Sequence, residues 1–388
     1  MGYLRDLVRI PSDNPPGECS AIAARVEEEF RRFGIDVERH DVPRESGPPA
    51  PTVLGWLGER TPTPDLLLNA HADVIPPGDG WSVDPYGGVV VDGRVVGRGA
   101  AVSKSDVASY TYALAAVGET YGTPAASAVV AVTADEETGG EYGPGWLVSA
   151  LGLRPRLAIC AGFSHGVVVA HSGCIRGTFV VHGRSAHAAM PWNGVDGIEV
   201  AQAVLARLYA VHAALASQRS PVAGIERPTL VATGIRGGGA PGATAGVVEI
   251  EIDRRILPAD STGDALAQLE GLAEELTRER GVEITFEPTL VVEPLRQSDG
   301  QEEIVRAVRE EGPAILGHEL EAHGVPIFTD ARWFSGVGVP TVLYGAGPAD
   351  AADARGHGPD ENVAIDDLIC ATVVVARVIH RLTDKGGS

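Results

Sequence analysis

Apolar and polar positions follow two different periods along this 388-residue chain. In the first part, short solid apolar runs alternate with stretches of helical spacing. Residues 20–33 carry Ile22, Val26 and Phe30 four apart, the stripe of an amphipathic helix. Residues 35–42 and 52–57 read as strands. A third strand begins at Leu66 and runs into His71, Ala72 and Asp73. Residues 105–120 predict a helix, and 126–134 predict a strand that closes on Asp135, Glu136 and Glu137. Strands that alternate with helices predict a mostly parallel sheet covered on both faces.

Near Ser172 the period changes. GTFVVHGRSAHAAMP alternates apolar with polar residues, as do 229–235 and 247–252, while 197–218 and 265–280 predict long helices. Adjacent strands of this kind predict an antiparallel α+β block. The α/β period returns from Ile304 and ends in a helix over 365–382. The fold class is therefore α/β: a catalytic domain over 1–174 and 289–388, interrupted by an inserted α+β lid or dimerisation domain over 175–288.

Composition narrows the function classes. With 44% hydrophobic residues the chain can bury a core, and it contains no run of 18 apolar residues. Its 52 acidic against 31 basic residues give a net charge of −21, which argues against nucleic acid or an anionic membrane as partner. Cys19, Cys160, Cys174 and Cys370 form no Cys-x-x-Cys pair, which fits a reducing compartment. The N-terminus lacks an apolar signal core, so the expectation is a cytoplasmic protein.

The chemistry-bearing residues gather at strand ends. His71 and Asp73 are two apart and share a face, the usual way to set an imidazole beside a carboxylate. Glu136 and Glu137 close the next strand. In parallel sheets, ligands bind beyond the carboxyl ends of strands, so these four side chains can converge.

Six ordered segments carry a resemblance. HADVIPPGDGWSVDPYGG, GRGAAVSK, DEETGG, GRSAHAAMP, TDAR and GHGPDENV together resemble the zinc amidohydrolases of the aminoacylase, carboxypeptidase G, acetylornithine deacetylase and succinyl-diaminopimelate desuccinylase family. The resemblance implies roles for individual positions. His71 is similar to a ligand of one metal, Asp73 to the carboxylate that orients it, and Glu136 to the general base. Glu137 and His357 resemble ligands of the other metal. His187 resembles the inserted-domain histidine that steadies an oxyanion, often across a dimer interface. Arg255 and Arg332 resemble arginines that grip a substrate carboxylate. A small-molecule substrate and a homodimer through the inserted domain are implied as well.

The chain departs from the family pattern where the metals are concerned. The bridging aspartate is replaced by Val102, a second acidic ligand by Gly162, and a substrate-contacting asparagine by Gly242. Two nearby cations repel, and an anionic bridge is what makes the pair tolerable. The expectation is one zinc or other divalent metal on His71, Glu137 and His357, or no metal. Asp106, His165 and Cys160 are the candidate substitutes for the missing ligands. Three functions follow: an enzyme acting at an amide or acyl bond of a small carboxylate-bearing molecule with Glu136 as base; a metal-free enzyme performing cyclisation, elimination, isomerisation or acyl transfer in specialised biosynthesis; and a non-catalytic carboxylate-binding protein.

Overall fold

A computed structural model describes residues 1–124, 126–348 and 351–384. The chain divides into two compact units. The first comprises Met1–Val169, Gln297–His323 and Thr329–Ser388, and the second Ala170–Arg296 and Gly324–Phe328. As the sequence predicts, the fold is α/β, with a mostly parallel main sheet and a separate antiparallel one.

The main sheet has eight strands. In spatial order they are Asp36–Val42, Ala50–Leu57, Ala128–Thr133, Leu66–His71, Leu157–Cys160, Thr341–Leu343, Gly166–His171 and Glu321–Val325. Ala128–Thr133, Leu66–His71, Leu157–Cys160 and Thr341–Leu343 pair in parallel, and they are fully buried because helices cover the sheet. The helices Ser20–Arg32, Lys104–Tyr121 and Ile365–Thr383 supply Phe30, Leu114 and Val375 to the core below and above those strands. The strands Gly166–His171 and Glu321–Val325 go beyond the sequence reading. The first lies where the hydrophobic period changes, and the second has only a short, polar pattern, EAHGV.

The second unit is a four-stranded antiparallel sheet, ordered Thr229–Gly237, Val247–Ile256, Gly173–His182 and Ile284–Val292. The helices Gly197–Leu215 and Thr262–Arg280 pack on one face, where Val204, Leu208, Leu269 and Leu276 meet Ile250 and Ile252. The helix Gly197–Leu215 is long and apolar enough, by length and composition, to cross a membrane. Its apolar side is engaged in this core. Asp196 caps it by accepting from the Ile198 amide.

The first unit buries a lysine. Lys104 is fully buried, and its Nζ donates to the Ile10 carbonyl at 3.0 Å. Burial pulls its pKa down to about 8. A lysine whose folded pKa is depressed binds fewer protons when folded, so folding gains stability as pH rises from about 8 to the unfolded value near 10.5. Relative to K104M, wild type is therefore expected to gain up to about 3 kcal/mol over that window. Denaturant unfolding of both proteins between pH 7.5 and 10.5 measures it, and parallel pH curves would contradict the assignment.

Candidate active site

The site is built at the carboxyl ends of two neighbouring parallel strands. His71 ends its strand opposite Thr133, and the Ala72 amide extends the ladder by donating to the Thr133 carbonyl at 2.8 Å. Past Thr133 the chain enters a single 3-10 turn, Glu136–Thr138, which places both glutamates beside His71. This is the crevice where open α/β sheets bind ligands.

Asp73 organises it. The carboxylate is fully buried. Its Oδ2 accepts from Asn14 Nδ2 at 2.9 Å and from the Glu137 amide at 3.2 Å, and its Oδ1 accepts from the Glu136 amide at 3.3 Å. His71 Nδ1 lies 3.0 Å from the Asp73 carbonyl and 3.4 Å from Oδ1, which leaves Nε2 to face Glu136, 3.8 Å from its Oε2. Burial works against a charged His71, but Glu136, Asp73 and Glu137 reverse this and raise its pKa well above the ordinary value. Burial likewise opposes the Asp73 charge, and the bond and charge of His71 overcome it, so that pKa is lowered. Each thus favours the charged form of the other.

Glu136 responds in the other direction. Burial, helped by the charges of Glu137 and Asp73, lifts it to about 7 against the pull of His71. Asp330 is also buried, and burial together with the Glu136 charge raises its carboxyl well above the carboxylate range. Asp330 Oδ2 has no hydrogen-bond partner. Neighbouring acids of this kind each disfavour the other's charged form.

Glu137 Oε1 is shielded from solvent and makes no well-formed hydrogen bond, although His357 Nε2 stands 3.3 Å away. That contact with Glu137 raises the His357 pKa against the effect of burial. His71, Glu136 and Glu137 each offer one ligand atom, and the three atoms lie within 4.8 Å of one another. An orphaned carboxylate oxygen, an imidazole and a second carboxylate fit one divalent cation, with His357 adjoining.

Val102 and Gly162 offer no side-chain donor to a second cation. Val102 presents methyl groups, and its Cγ2 would lie 3.3 Å from a Cβ placed on Gly356, beside His357. Its backbone is clamped: the Ala101 and Val102 amides both donate to Glu361 Oε1 at 3.0 Å, and Glu361 binds Arg98 at 2.6 Å. Gly162 is closed off as well. A Cβ there would stand 2.8 Å from Leu343 Cβ and from the Tyr344 amide nitrogen.

The three candidate substitutes are otherwise engaged. Asp106 Oδ1 accepts from the Ala346 amide at 2.7 Å, the Gly162 amide also bonds the carboxyl, and burial lifts its pKa to about 7. His165 pairs with Asp367 at 2.8 Å and with His318 at 3.1 Å. Burial keeps the Cys160 thiol protonated.

Arg332 donates to the Gly139 carbonyl and stacks on Trp333 at 4.5 Å, which sets it on the Glu136–Thr138 turn. His187 and Arg255 belong to the second unit. His187 is exposed, and its Nδ1 accepts from the Ala189 amide at 3.1 Å. Arg255 donates to both oxygens of Asp253, at 2.7 and 3.2 Å. Asn14 and the acid role of Asp330 go beyond the sequence reading. The only sequence signal for Asn14 is its place in the polar loop PSDNPPGE.

A profile of peptidase family M20/M25/M40 matches residues 67–381. The chain belongs to that family. A succinyl-diaminopimelate desuccinylase of Wolinella succinogenes is 29% identical over 308 residues, covering 77% of this chain and 79% of the relative. A second desuccinylase, from Shewanella loihica, is 32% identical over 222 residues, 54% of this chain and 56% of the other. The fold is shared with an M20 family metallo-carboxypeptidase of Sulfolobus solfataricus, at a TM-score of 0.79 and 16% identity, covering 98% of both chains. This M20/M25/M40 member is thus a hydrolytic enzyme of the peptidase and amidohydrolase kind.

Two substitutions separate the missing ligands. V102D is expected to raise zinc affinity roughly tenfold or more, because it sets a carboxylate beside the existing ligands. G162D is expected to lower stability by about 1–3 kcal/mol through overpacking, without added metal. Elemental analysis after zinc loading and thermal melts read both effects. A tolerated G162D that gains a second ion would contradict the packing described here.

Proposed function

We propose that this enzyme acts at an amide or related acyl bond of a small carboxylate-bearing molecule of the N-acyl amino acid kind. Glu136 is the general base, and at most one divalent metal, zinc or another, is held by His71, Glu137 and His357. The observation that carries the reading is the convergence of His71, Glu136 and Glu137 around a buried carboxylate oxygen with no hydrogen-bond partner. The succinyl group in the relatives' names is itself a carboxylate-bearing acyl group, which supports the substrate class.

When bound, such a cation polarises a carbonyl and acidifies water. The chain's own residues do the rest. Glu136 Oε2, raised toward neutrality, takes the proton of the attacking water and returns it to the leaving nitrogen. Asp73 fixes the two glutamate amides and the His71 ring, so the base and the imidazole keep their separation. Arg332, planar and anchored on Gly139, binds the substrate carboxylate. Arg255 is assigned a second carboxylate contact and His187 the oxyanion. A homodimer formed through the second unit and a cytoplasmic setting belong to the same proposal.

A second reading has one observation in its favour. Glu136 and Asp330 are neighbouring acids, one pushed up to about 7 and the other well above its ordinary range. Acids raised in this way can give and take protons without a metal, as cyclisation, elimination, isomerisation or acyl transfer requires.

E136Q is expected to lower kcat on N-acyl amino acids by roughly 10²- to 10⁴-fold while retaining ligand binding. Unchanged turnover would remove Glu136 from the mechanism. Chelation separates the two readings: loss of turnover with EDTA and recovery with zinc supports the metal-assisted hydrolase, and unaffected turnover supports the metal-free enzyme. The base must be deprotonated, so in metal-free protein the rate is expected to rise with pH through about 7. A bound cation moves that midpoint downward, because positive charge favours the carboxylate.

A further inference from the structure

The strand Val247–Ile256 alternates strictly, and Val248, Ile250, Ile252, Arg254 and Ile256 form its buried row beneath the two helices of the second unit. Four of the five are aliphatic. The fifth is an arginine with only 7% of its surface exposed. Its Nη1 donates to the Gln268 side chain and, at 3.4 Å, to the Ala265 carbonyl. Its Nε is buried with no hydrogen-bond partner, and among the described residues no carboxylate lies within ion-pair distance of Arg254. Arg255, one residue on and facing the other side of the sheet, contrasts with it through its close pair with Asp253. Burial weighs against the Arg254 charge, and Asp260 is the carboxylate that offsets it from a distance. A buried guanidinium with one polar edge unanswered is costly to keep unless something anionic meets it.

The same side chain lines a cavity of about 350 Å³, together with Gln218, Asp260, Ser261, Asp264 and Gln268. That volume suits a small molecule. The cavity also abuts the start of the 19-residue helix Thr262–Arg280, whose Ser261 cap accepts from the Asp264 amide. Asp260 and Asp264 are exposed, and neither forms an ion pair among the described residues. A simple anion would meet Arg254 favourably but these two acids unfavourably. A ligand carrying both a carboxylate and an ammonium group satisfies both.

We propose that this cavity binds a small amino acid, its carboxylate on the guanidinium group of Arg254 and its ammonium group toward Asp260 and Asp264. The planar guanidinium edge matches two carboxylate oxygens, which a lysine at the same place would not. The site lies wholly within the second unit; of the residues assigned to acyl chemistry above, Arg255 also borders it, held there by its pair with Asp253.

The test uses the intact enzyme, with the twenty common L-amino acids as probes and acetate and methylamine as controls. Calorimetry and thermal melts are expected to find at least one amino acid that binds and raises Tm in a concentration-dependent way, with acetate and methylamine at least tenfold weaker. R254L restores an aliphatic residue to an aliphatic row, so it is expected to fold and to weaken that binding at least tenfold. R254K keeps the charge without the fork and is expected to weaken it as well. E136Q is expected to bind the amino acid as wild type does, which separates this cavity from the acyl site. Three results would each overturn the proposal: no amino acid binding to wild type, equal binding to R254L, or acetate binding as well as the best amino acid.

Discussion

A single buried carboxylate holds the site in shape. Asp73 takes hydrogen bonds from the Asn14 side chain and from the amides of Glu136 and Glu137, and it pairs with His71. Three separate segments meet there: the loop around 12–14, the end of the strand Leu66–His71, and the turn Glu136–Thr138. Hydrogen bonds to an ionised acceptor contribute roughly 1.5–3 kcal/mol each, enough to help fix the turn against this strand. The two glutamates are therefore positioned through their backbones, and their side chains remain available.

That arrangement crowds negative charge. Glu136, Glu137, Asp73 and Asp330 share one crevice, with His71 and His357 as the histidines beside them. The crowding explains opposite shifts within a few ångströms: His71 is driven toward its cation, while Glu136 and Asp330 are driven toward their neutral acids. It also bears on Val102. With Gly162 sealed against Leu343 and Tyr344, a cation on that side would have little besides His71 to hold it. A bridging carboxylate would then have only one cation to serve, and a valine there adds no further negative charge.

Much of this was legible in the sequence, and the limit is physical. The central strands, the helices that cover them and the antiparallel second unit follow from period alone. His71, Asp73, Glu136 and Glu137 are legible as neighbours because parallel strands end together. What was not legible depends on contacts across long stretches of chain. Residue type places Asp106 among possible metal ligands, yet its carboxyl is taken by the Ala346 amide 240 positions away. Glycine at 162 reads as a lost acid, and only the approach of 343–344 shows that the space has closed. Asn14 sits in a loop whose composition signals a turn, with nothing to say that its amide will reach Asp73. The strand Glu321–Val325 has an apolar pattern too weak to announce itself.

The two units treat buried charge in mirror fashion. In the first, a carboxylate oxygen of Glu137 is shielded from water with no hydrogen bond, and the groups around it suit a cation. In the second, the Nε of Arg254 is shielded from water with no hydrogen bond, and the groups around it suit a carboxylate. Desolvating a charged group without a partner is unfavourable in either sign, and a folded chain seldom retains it without a compensating contact. Other buried charges in this molecule have an opposite charge beside them, Arg98 with Glu361, Asp73 with His71 and Arg44 with Asp135, although Arg98 Nε and Arg44 Nε likewise lack a hydrogen bond. What sets Arg254 apart is that, among the described residues, no carboxylate lies within ion-pair distance of it.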